Sequence, residues 1–405
     1  MKQKQFINAF TLILSVFLLV FSVGCPRKHQ QDPPVVTVGK PAPHETPLWQ
    51  RFRSDPQNTG RSGLPGPRRG NILWRFETGG KVFSSPAVYA DGSVAVGSHD
   101  GKVYRVNPDG SRRWEFPGPD WFFASPAIDD NGNIYIGCEN GGFFCIDSHG
   151  KPVWKFRARG EIFSSANFAF GDKPGVLFGS EDGFLYLLNM EGKQIWRYQT
   201  GDRIFSSPAI DREGRIYIGS EDHHLHCIAL DGNLLWKFTA EAEIFTSPVV
   251  DSSGRIYFGS EDHNFYCLDS EGTLLWKITT GGPIFSSAAL DHEGRVIFAS
   301  TDGLVYCADG DGEILWKYDT GHDIRSSPAV DGEGFIYIAS HARHRPEPPD
   351  KSRGRSPFLL HCLDGEGKMV FQVDMTGPMN SSPVIGPDRR LYVGCDDGSL
   401  YCIGE

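Results

Sequence analysis

Residues 196–230 read W-R-Y-Q-T-G-D-R-I-F-S-S-P-A-I-D-R-E-G-R-I-Y-I-G-S-E-D-H-H-L-H-C-I-A-L, and residues 236–270 repeat the phrase as W-K-F-T-A-E-A-E-I-F-T-S-P-V-V-D-S-S-G-R-I-Y-F-G-S-E-D-H-N-F-Y-C-L-D-S. Each copy holds four short runs rich in Val, Ile, Phe, Tyr and Trp, parted by Gly, Asp, Asn and Ser turns. That is the pattern of a four-stranded antiparallel sheet, and helical repeats do not fit it. Working outward, the same opening recurs at Trp74, Trp114, Trp154, Trp196, Trp236, Trp276, Trp316 and, altered, at Phe371. A period of about 40 residues belongs to propellers and solenoids.

The S-S-P-type strand begins at Ser84, Ala124, Ser164, Ser206, Thr246, Ser286, Ser326 and Ser381, so eight blades are expected. With this strand innermost, blade one runs Ser84 to Val88, Ser93 to Gly97, Lys102 to Val106 and Arg113 to Phe116. Blade eight has only three strands before the sequence stops at Glu405. The strand Asn71 to Phe76 is left over at the front and supplies the fourth, which closes the ring and removes an exposed edge. The expected fold is therefore all-β, an eight-bladed β-propeller of four-stranded antiparallel blades. An open solenoid would carry atypical caps, and the last copy is ordinary.

Ahead of the repeats, Lys2 and Lys4 precede an apolar run from Phe10 to Gly24 that ends at Cys25. Its length fits a signal-peptide core and is short of the roughly 20 residues that cross a bilayer. Ser22-Val23-Gly24-Cys25 resembles the processing site of a bacterial lipoprotein, which implies Cys25 as the lipidated N-terminus. Ser22 stands where Leu is usual, and ordinary secretion or an uncleaved anchor are the alternatives. Pro26 at the position after the cysteine leans toward the outer membrane. From Pro26 to about Pro47 the chain is Pro-rich and polar, a tether. The expected organisation is a signal peptide over 1–24, a lipidated cysteine and tether over 25–48, a lead-in over 49–70 and the propeller over 71–405.

A formal charge of -10 with 12% aromatic residues describes an acidic surface around a large core, unsuited to nucleic acid. Six of the nine cysteines (Cys145, Cys227, Cys267, Cys307, Cys362 and Cys402) share one third-strand position where other blades have Val106 or Leu188, so they read as core residues. Cys138 and Cys395 each stand seven residues before one of them, leaving a cross-strand disulfide in blades two and eight open. No Cys-x-x-Cys pair suggests zinc.

The W-K-F, T-G, S-S-P-A-V, D-x-x-G-x-I-Y-I-G-S, D-G-x-L-Y motif resembles the repeat of the pyrroloquinoline-quinone-like (PQQ-like) propellers. The lead-in residues Trp49, Phe52, Arg53, Asp55, Asn58, Thr59 and Gly60 resemble the segment that often precedes it. The resemblance covers Trp49 to Glu405. It implies the fold and leaves function open, because the family includes quinone-dependent alcohol dehydrogenases and the propeller lipoprotein of the outer-membrane barrel-assembly machine. Such dehydrogenases add long insertions, an adjacent cysteine pair and a calcium or lanthanide site with a catalytic aspartate. Here no two cysteines adjoin and the crossovers are short.

The expectation is thus a membrane-tethered, non-enzymatic, monomeric ring with no catalytic residue, cofactor or metal, held in the cell envelope as an outer-membrane lipoprotein and binding envelope proteins or peptides. A secreted PQQ-dependent dehydrogenase or small-molecule-binding propeller is one alternative. A surface polysaccharide-recognition or sensor module is another. The recurring Ser85, Ser165, Ser207, Ser247, Ser287, Ser327 and Ser382 read as small inner-strand residues, since a nucleophile is needed only once.

Strand directions place the second-to-third hairpins and the fourth-to-first crossovers on one face, termed the top. The D-x-x-G turns of the opposite face are regular hairpin chemistry. On the top, Glu181-Asp182, Glu221-Asp222, Glu261-Asp262, Asp302 and Asp396-Asp397 form an acidic arc, a solvated rim or a dock for a basic partner. His223, His224 and His226 crowd one hairpin, but alternation does not bring three imidazoles together. Phe83, Phe123, Phe163, Phe205, Phe245 and Phe285 precede the inner strands, whereas blades seven and eight have Arg325 and Asn380. Blade seven also carries an insert, His341 to Pro357, with Arg343, Arg345, Arg353 and Arg355, beside His322 and Asp323. Trp121, an aromatic in a crossover, either closes the channel mouth with Phe122 and Phe123 or anchors a peptide. The candidate interaction residues are Trp121, His322, Asp323, Arg325, Arg343, Arg345, Arg353, Arg355 and Asn380.

Overall fold

A computed structural model describes residues 49–170, 174–341 and 358–405. These form eight four-stranded antiparallel sheets arranged as the blades of a propeller. Blade one consists of Ala87–Val88, Val94–Gly97, Lys102–Val106 and Arg112–Pro117. Blade eight consists of Val384–Gly386, Arg390–Cys395, Ser399–Gly404 and, from the front of the repeats, Asn71–Glu77. The closure expected from the unused strand is therefore made, with Phe76 opposite Leu400 and Trp74 opposite Cys402.

The innermost strands are shorter than Ser84 to Val88, because in most blades only two residues join the ladder. The serines ahead of them have a different task. Where the first residue of the pair carries a hydroxyl it accepts from a second-strand N–H of its own blade, as Ser206 Oγ does from Gly219 at 3.2 Å, and blade two has Ala124 instead. The second links blades. The Ser85 N–H donates to Ser125 Oγ, Ser125 to Ser165, Ser165 to Ser207, Ser207 to Ser247, Ser247 to Ser287, Ser287 to Ser327, Ser327 to Ser382, and Ser382 back to Ser85, at 2.8 to 3.1 Å. A small residue is needed here, and it must also be a hydroxyl.

At the outer radius tryptophan does the joining. Each indole N–H donates to a carbonyl in the third-to-fourth turn of the next blade, Trp196 to Leu230 at 2.9 Å and Trp236 to Ser270 at 3.0 Å. The ring lies over the turn's glycine, so a Cβ on Gly232 or Gly272 would run into it, and both glycines also have positive φ. Blade eight has no covalent third-to-fourth turn, since its fourth strand comes from the front of the repeats. The preceding blade is the one where Phe371 replaces tryptophan, and that ring faces Gly70 instead. Between blades the core is apolar and aromatic, with Phe265 stacked on Phe298 at 3.9 Å and Phe143 on Phe178 at 4.0 Å.

The eight described cysteines are buried free thiols, so the bridges left open for Cys138 and Cys395 are not formed. Register gives the reason. Cys145 lies opposite Tyr135 and Cys402 opposite Tyr392, whereas Cys395 lies opposite Ser399, three pairs along the ladder. At about 3.4 Å per residue that offset exceeds disulfide reach.

The lead-in is part of the ring. Its carbonyls accept from the last inner-strand N–H of successive blades: Trp49 from Val88, Gln50 from Ile128, Pro56 from Ile210, Gln57 from Val250, Thr59 from Leu290 and Gly60 from Val330, at 2.7 to 2.9 Å. Blade three reaches Pro56 through the Asn167 amide, and blade eight reaches Gly66 through Arg389. The segment thus coils inside the lower end of the channel. Arg53 and Asn58 are buried; the Arg53 guanidinium donates to the Pro328 and Ala288 carbonyls and Asn58 Nδ2 to Pro248 at 3.1 Å. Gly60 is required twice, by its φ of 63° and by the guanidinium packed against its Cα.

Candidate interaction face

Eight backbone bonds weld the crossovers to the hairpins and define the top face. The N–H groups of His99, Glu139, Glu181, Glu221, Glu261, Thr301, His341 and Asp396 donate to the carbonyls of Lys81, Trp121, Glu161, Arg203, Glu243, Pro283, Asp323 and Pro378 respectively, at 2.9 to 3.1 Å. The loops assigned to one face by strand direction are therefore in register with one another.

Within the acidic arc the two carboxylates of each Glu-Asp pair have different work. The aspartate is structural. Asp182 accepts from Tyr186 Oη at 2.7 Å and the Arg159 N–H at 2.9 Å, and Asp262 from Tyr266 Oη at 2.6 Å and the Glu241 N–H at 2.9 Å. The glutamates remain at the rim, where they repel one another. Burial, with Glu161, Asp120 and Glu181 nearby, pushes Glu139 up to about 7. Glu181, Glu221 and Glu261 are raised in the same way, by partial burial and by neighbours that include Glu161 and Glu243.

The histidine hairpin is also structural. His226 is buried at the position where other blades have Tyr186 or Tyr266, and its Nε2 lies 3.0 Å from Asp222 Oδ2 while Nδ1 meets Tyr198 Oη at 3.0 Å. Burial works against the charge on Asp222, but His226 and the Gly201 N–H outweigh it and hold the carboxyl below the usual range. Asp222, His224 and His226 do approach one another, their ligand-type atoms within 4.8 Å, yet both nitrogens of His226 are already engaged. His223 sits at the turn with φ 67°.

At the channel mouth the six phenylalanines form an arc, each ring 4.8 to 5.8 Å from the next and half-buried. The chain's own cations cap both ends: Arg325 lies 5.0 Å over Phe285, and Lys81 Nζ lies 5.5 Å from Phe83 and 3.3 Å from Asp396. Asn380 completes the circle and leans on Asp396 at 3.3 Å. The three consecutive aromatics of blade two diverge. Phe122 enters the core between blades, Phe123 joins the arc, and Trp121 stacks on His99 at 4.8 Å with 49% of its surface exposed. It is the lower end of the channel that is filled, by Arg53 and Asn58, residues that sequence reasoning assigned only to a lead-in.

Asp323 and His322 lie in the blade-seven crossover, half-buried, and the Asp323 carbonyl accepts the His341 N–H at the stem of the insert. Burial, and then Arg325, push the pKa of His341 down. Arg343, Arg345, Arg353 and Arg355 lie outside the described residues, as does Cys25. Among the described residues no helix is long and apolar enough to cross a membrane.

Ring closure, blade count and repeat together define an eight-bladed PQQ-like propeller. The chain belongs to the family described as outer membrane protein assembly factor BamB, which matches residues 65–131, 99–182, 181–283 and 266–345. No curated protein matches it by sequence. Among solved structures it is similar to BamB from Moraxella catarrhalis, with a TM-score of 0.67 at 20% identity over 83% of this chain and 97% of that one. It is also similar to a europium-containing methanol dehydrogenase, with a TM-score of 0.73 at 12% identity over 89% and 98%. A computationally designed protein, Ika8, gives 0.68 at 15% identity over 83% and 100%. Likeness at such identities is one of fold, shared by an assembly factor, an enzyme and a design.

Proposed function

We propose that this protein is a non-enzymatic scaffold, tethered to the membrane through Cys25, whose top face docks envelope proteins or peptides during outer-membrane protein assembly. The observation that carries this reading is the row of rim glutamates on that face, Glu139, Glu181, Glu221 and Glu261, partly buried and mutually repelling, with Arg325 beside Glu261. Such a rim favours a basic partner. Membership of a family described as an assembly factor supports the same direction.

The test is proximity crosslinking on intact envelopes, followed by charge reversal at Arg343, Arg345, Arg353 and Arg355. Co-recovery of barrel-assembly components, weakened by the reversal with unchanged melting, is expected. Recovery that is unaffected by the insert and by Glu139, Glu181 and Glu261 variants would remove the top face from the interaction. Cys25→Ser should move the protein from the membrane to the soluble fraction. A quinone-dependent dehydrogenase is the second reading, favoured by the likeness to methanol dehydrogenase; dye reduction with added quinone and calcium tests it, and none is expected.

A further inference from the structure

Blade four departs from the repeat twice on one strand face. Where the hairpins of its neighbours read Asp182, Phe184, Tyr186 and Asp262, Asn264, Tyr266, this one reads Asp222, His224, His226. Strand alternation puts both imidazoles on one face of His224–Ile228, and the turn brings Asp222 over them. Asp222 Oδ1 lies 3.2 Å from His226 Nε2 and 3.4 Å from His224 Nδ1. Ligand bonds of about 2.1 Å at tetrahedral angles set neighbouring ligand atoms roughly 3.4 Å apart, so two edges of a metal-binding face are already near their length. The third, between the imidazoles, is within 4.8 Å. His224, with a side chain 21% exposed against 3% for His226, has the room to close it, giving up the contact of its Nδ1 with the Asp222 carbonyl at 2.6 Å.

The surrounding bonds hold the ligands in place. Asp222 Oδ2 accepts the Gly201 N–H at 2.7 Å and Oδ1 the His224 N–H at 3.0 Å, which fixes the carboxylate. His226 Nδ1 meets Tyr198 Oη at 3.0 Å, which turns Nε2 toward Asp222. Both nitrogens of His226 are engaged, but Nε2 is engaged with Asp222 itself. An ion that takes the place of the proton between them keeps both as ligands.

We propose that Asp222, His224 and His226 form a binding site on the top face for a divalent transition-metal ion of the zinc type. Two imidazoles select against magnesium and calcium, which favour oxygen ligands. Three protein ligands leave a position for water.

The test uses the full chain, stripped by a chelator and titrated with zinc chloride in a calorimeter. One site per chain is expected, and crystals soaked in zinc should show an anomalous peak among Asp222 Oδ1, His224 Nδ1 and His226 Nε2. His226→Tyr, whose phenol keeps the bond to Asp222, should melt like the metal-free parent and lose this binding. His224→Ala removes the more exposed ligand and should lose it as well. Tyr198→Phe leaves all three ligands but takes away the partner of Nδ1, so affinity should fall roughly tenfold. His223→Ala and His263→Ala, at neighbouring turns, should bind as the parent does. Absence of saturable zinc binding would overturn the proposal. So would binding that survives both His224→Ala and His226→Tyr, which would put the zinc on other histidines, an adventitious ion only. If His226→Tyr does not fold, His224→Ala decides alone: lost affinity supports the site and unchanged affinity overturns it.

Discussion

The Ser382 N–H donates to Ser85 Oγ at 2.9 Å, joining two residues 297 positions apart and completing a hydrogen-bonded hoop inside the ring. The same seam is closed at the outer radius by Asn71–Glu77 against Ser399–Gly404. Removing residues 71–77 should leave the outer edge of blade eight unpaired and the seam held by its inner contacts alone. The deleted protein should aggregate or lose cooperative unfolding, measured by light scattering and calorimetry. A monomer with unchanged melting would refute the closure.

Tryptophan docking can be tested by its exception. Trp236→Phe keeps an aromatic ring but removes one of two donors to the Ser270 carbonyl, leaving it Arg215 Nη1, and should cost about 1 kcal/mol in denaturant unfolding. Phe371→Trp has no third-to-fourth turn to receive its N–H and should not stabilise. A gain from that change would mean that the seam tolerates the repeat after all.

Gly60→Ala should be among the more damaging small substitutions outside the blades. It forces a Cβ into the Arg53 guanidinium at a φ of 63°, and a loss of about 2–3 kcal/mol is expected. Gly294→Ala has a comparable φ of 80° with open space around it, so it isolates the backbone part of the cost.

His226→Tyr should be tolerated, because a phenol at this position donates to the aspartate in neighbouring blades. His226→Ala leaves Asp222 and Tyr198 short of a partner and should cost about 2–3 kcal/mol. Equal melting of the two variants would disprove the substitution of one donor for another.

The glutamate rim gives a pH signature. The folded pKa of Glu139 is raised from 4.5 to about 7, so its favourable contribution is present below about pH 4.5 and is lost as pH rises through about 7. Glu139→Gln should therefore match the parent near the lower limit and melt higher at pH 8. Carbon-detected titration of Glu139 should place its midpoint well above that of an ordinary glutamate.

Strands, blade number, closure and top face were legible because they follow from period, alternation and turn residues, which local sequence carries directly. The meaning of exceptions was not. Phe371 reads as a worn tryptophan until the missing turn of blade eight explains it. Glu181 and Asp182 are adjacent and chemically alike, yet the hairpin points one at a tyrosine and leaves the other at the rim. The lead-in has no period at all, and its role arises from carbonyls, which every residue has. Arg53, Asp55, Asn58 and Gly60 were visible as a motif; only the ring around them shows what the motif is for.

Because the lead-in touches every blade, the axle of this wheel is translated before any spoke. A chain made from its N-terminus can lay each new blade against a strand of backbone already present, and the last blade completes itself on a segment that has waited since the first. Shuffling the order of synthesis, by circular permutation at an exposed third-to-fourth turn such as Asp231-Gly232, would keep the blades and the lead-in contacts and remove that head start.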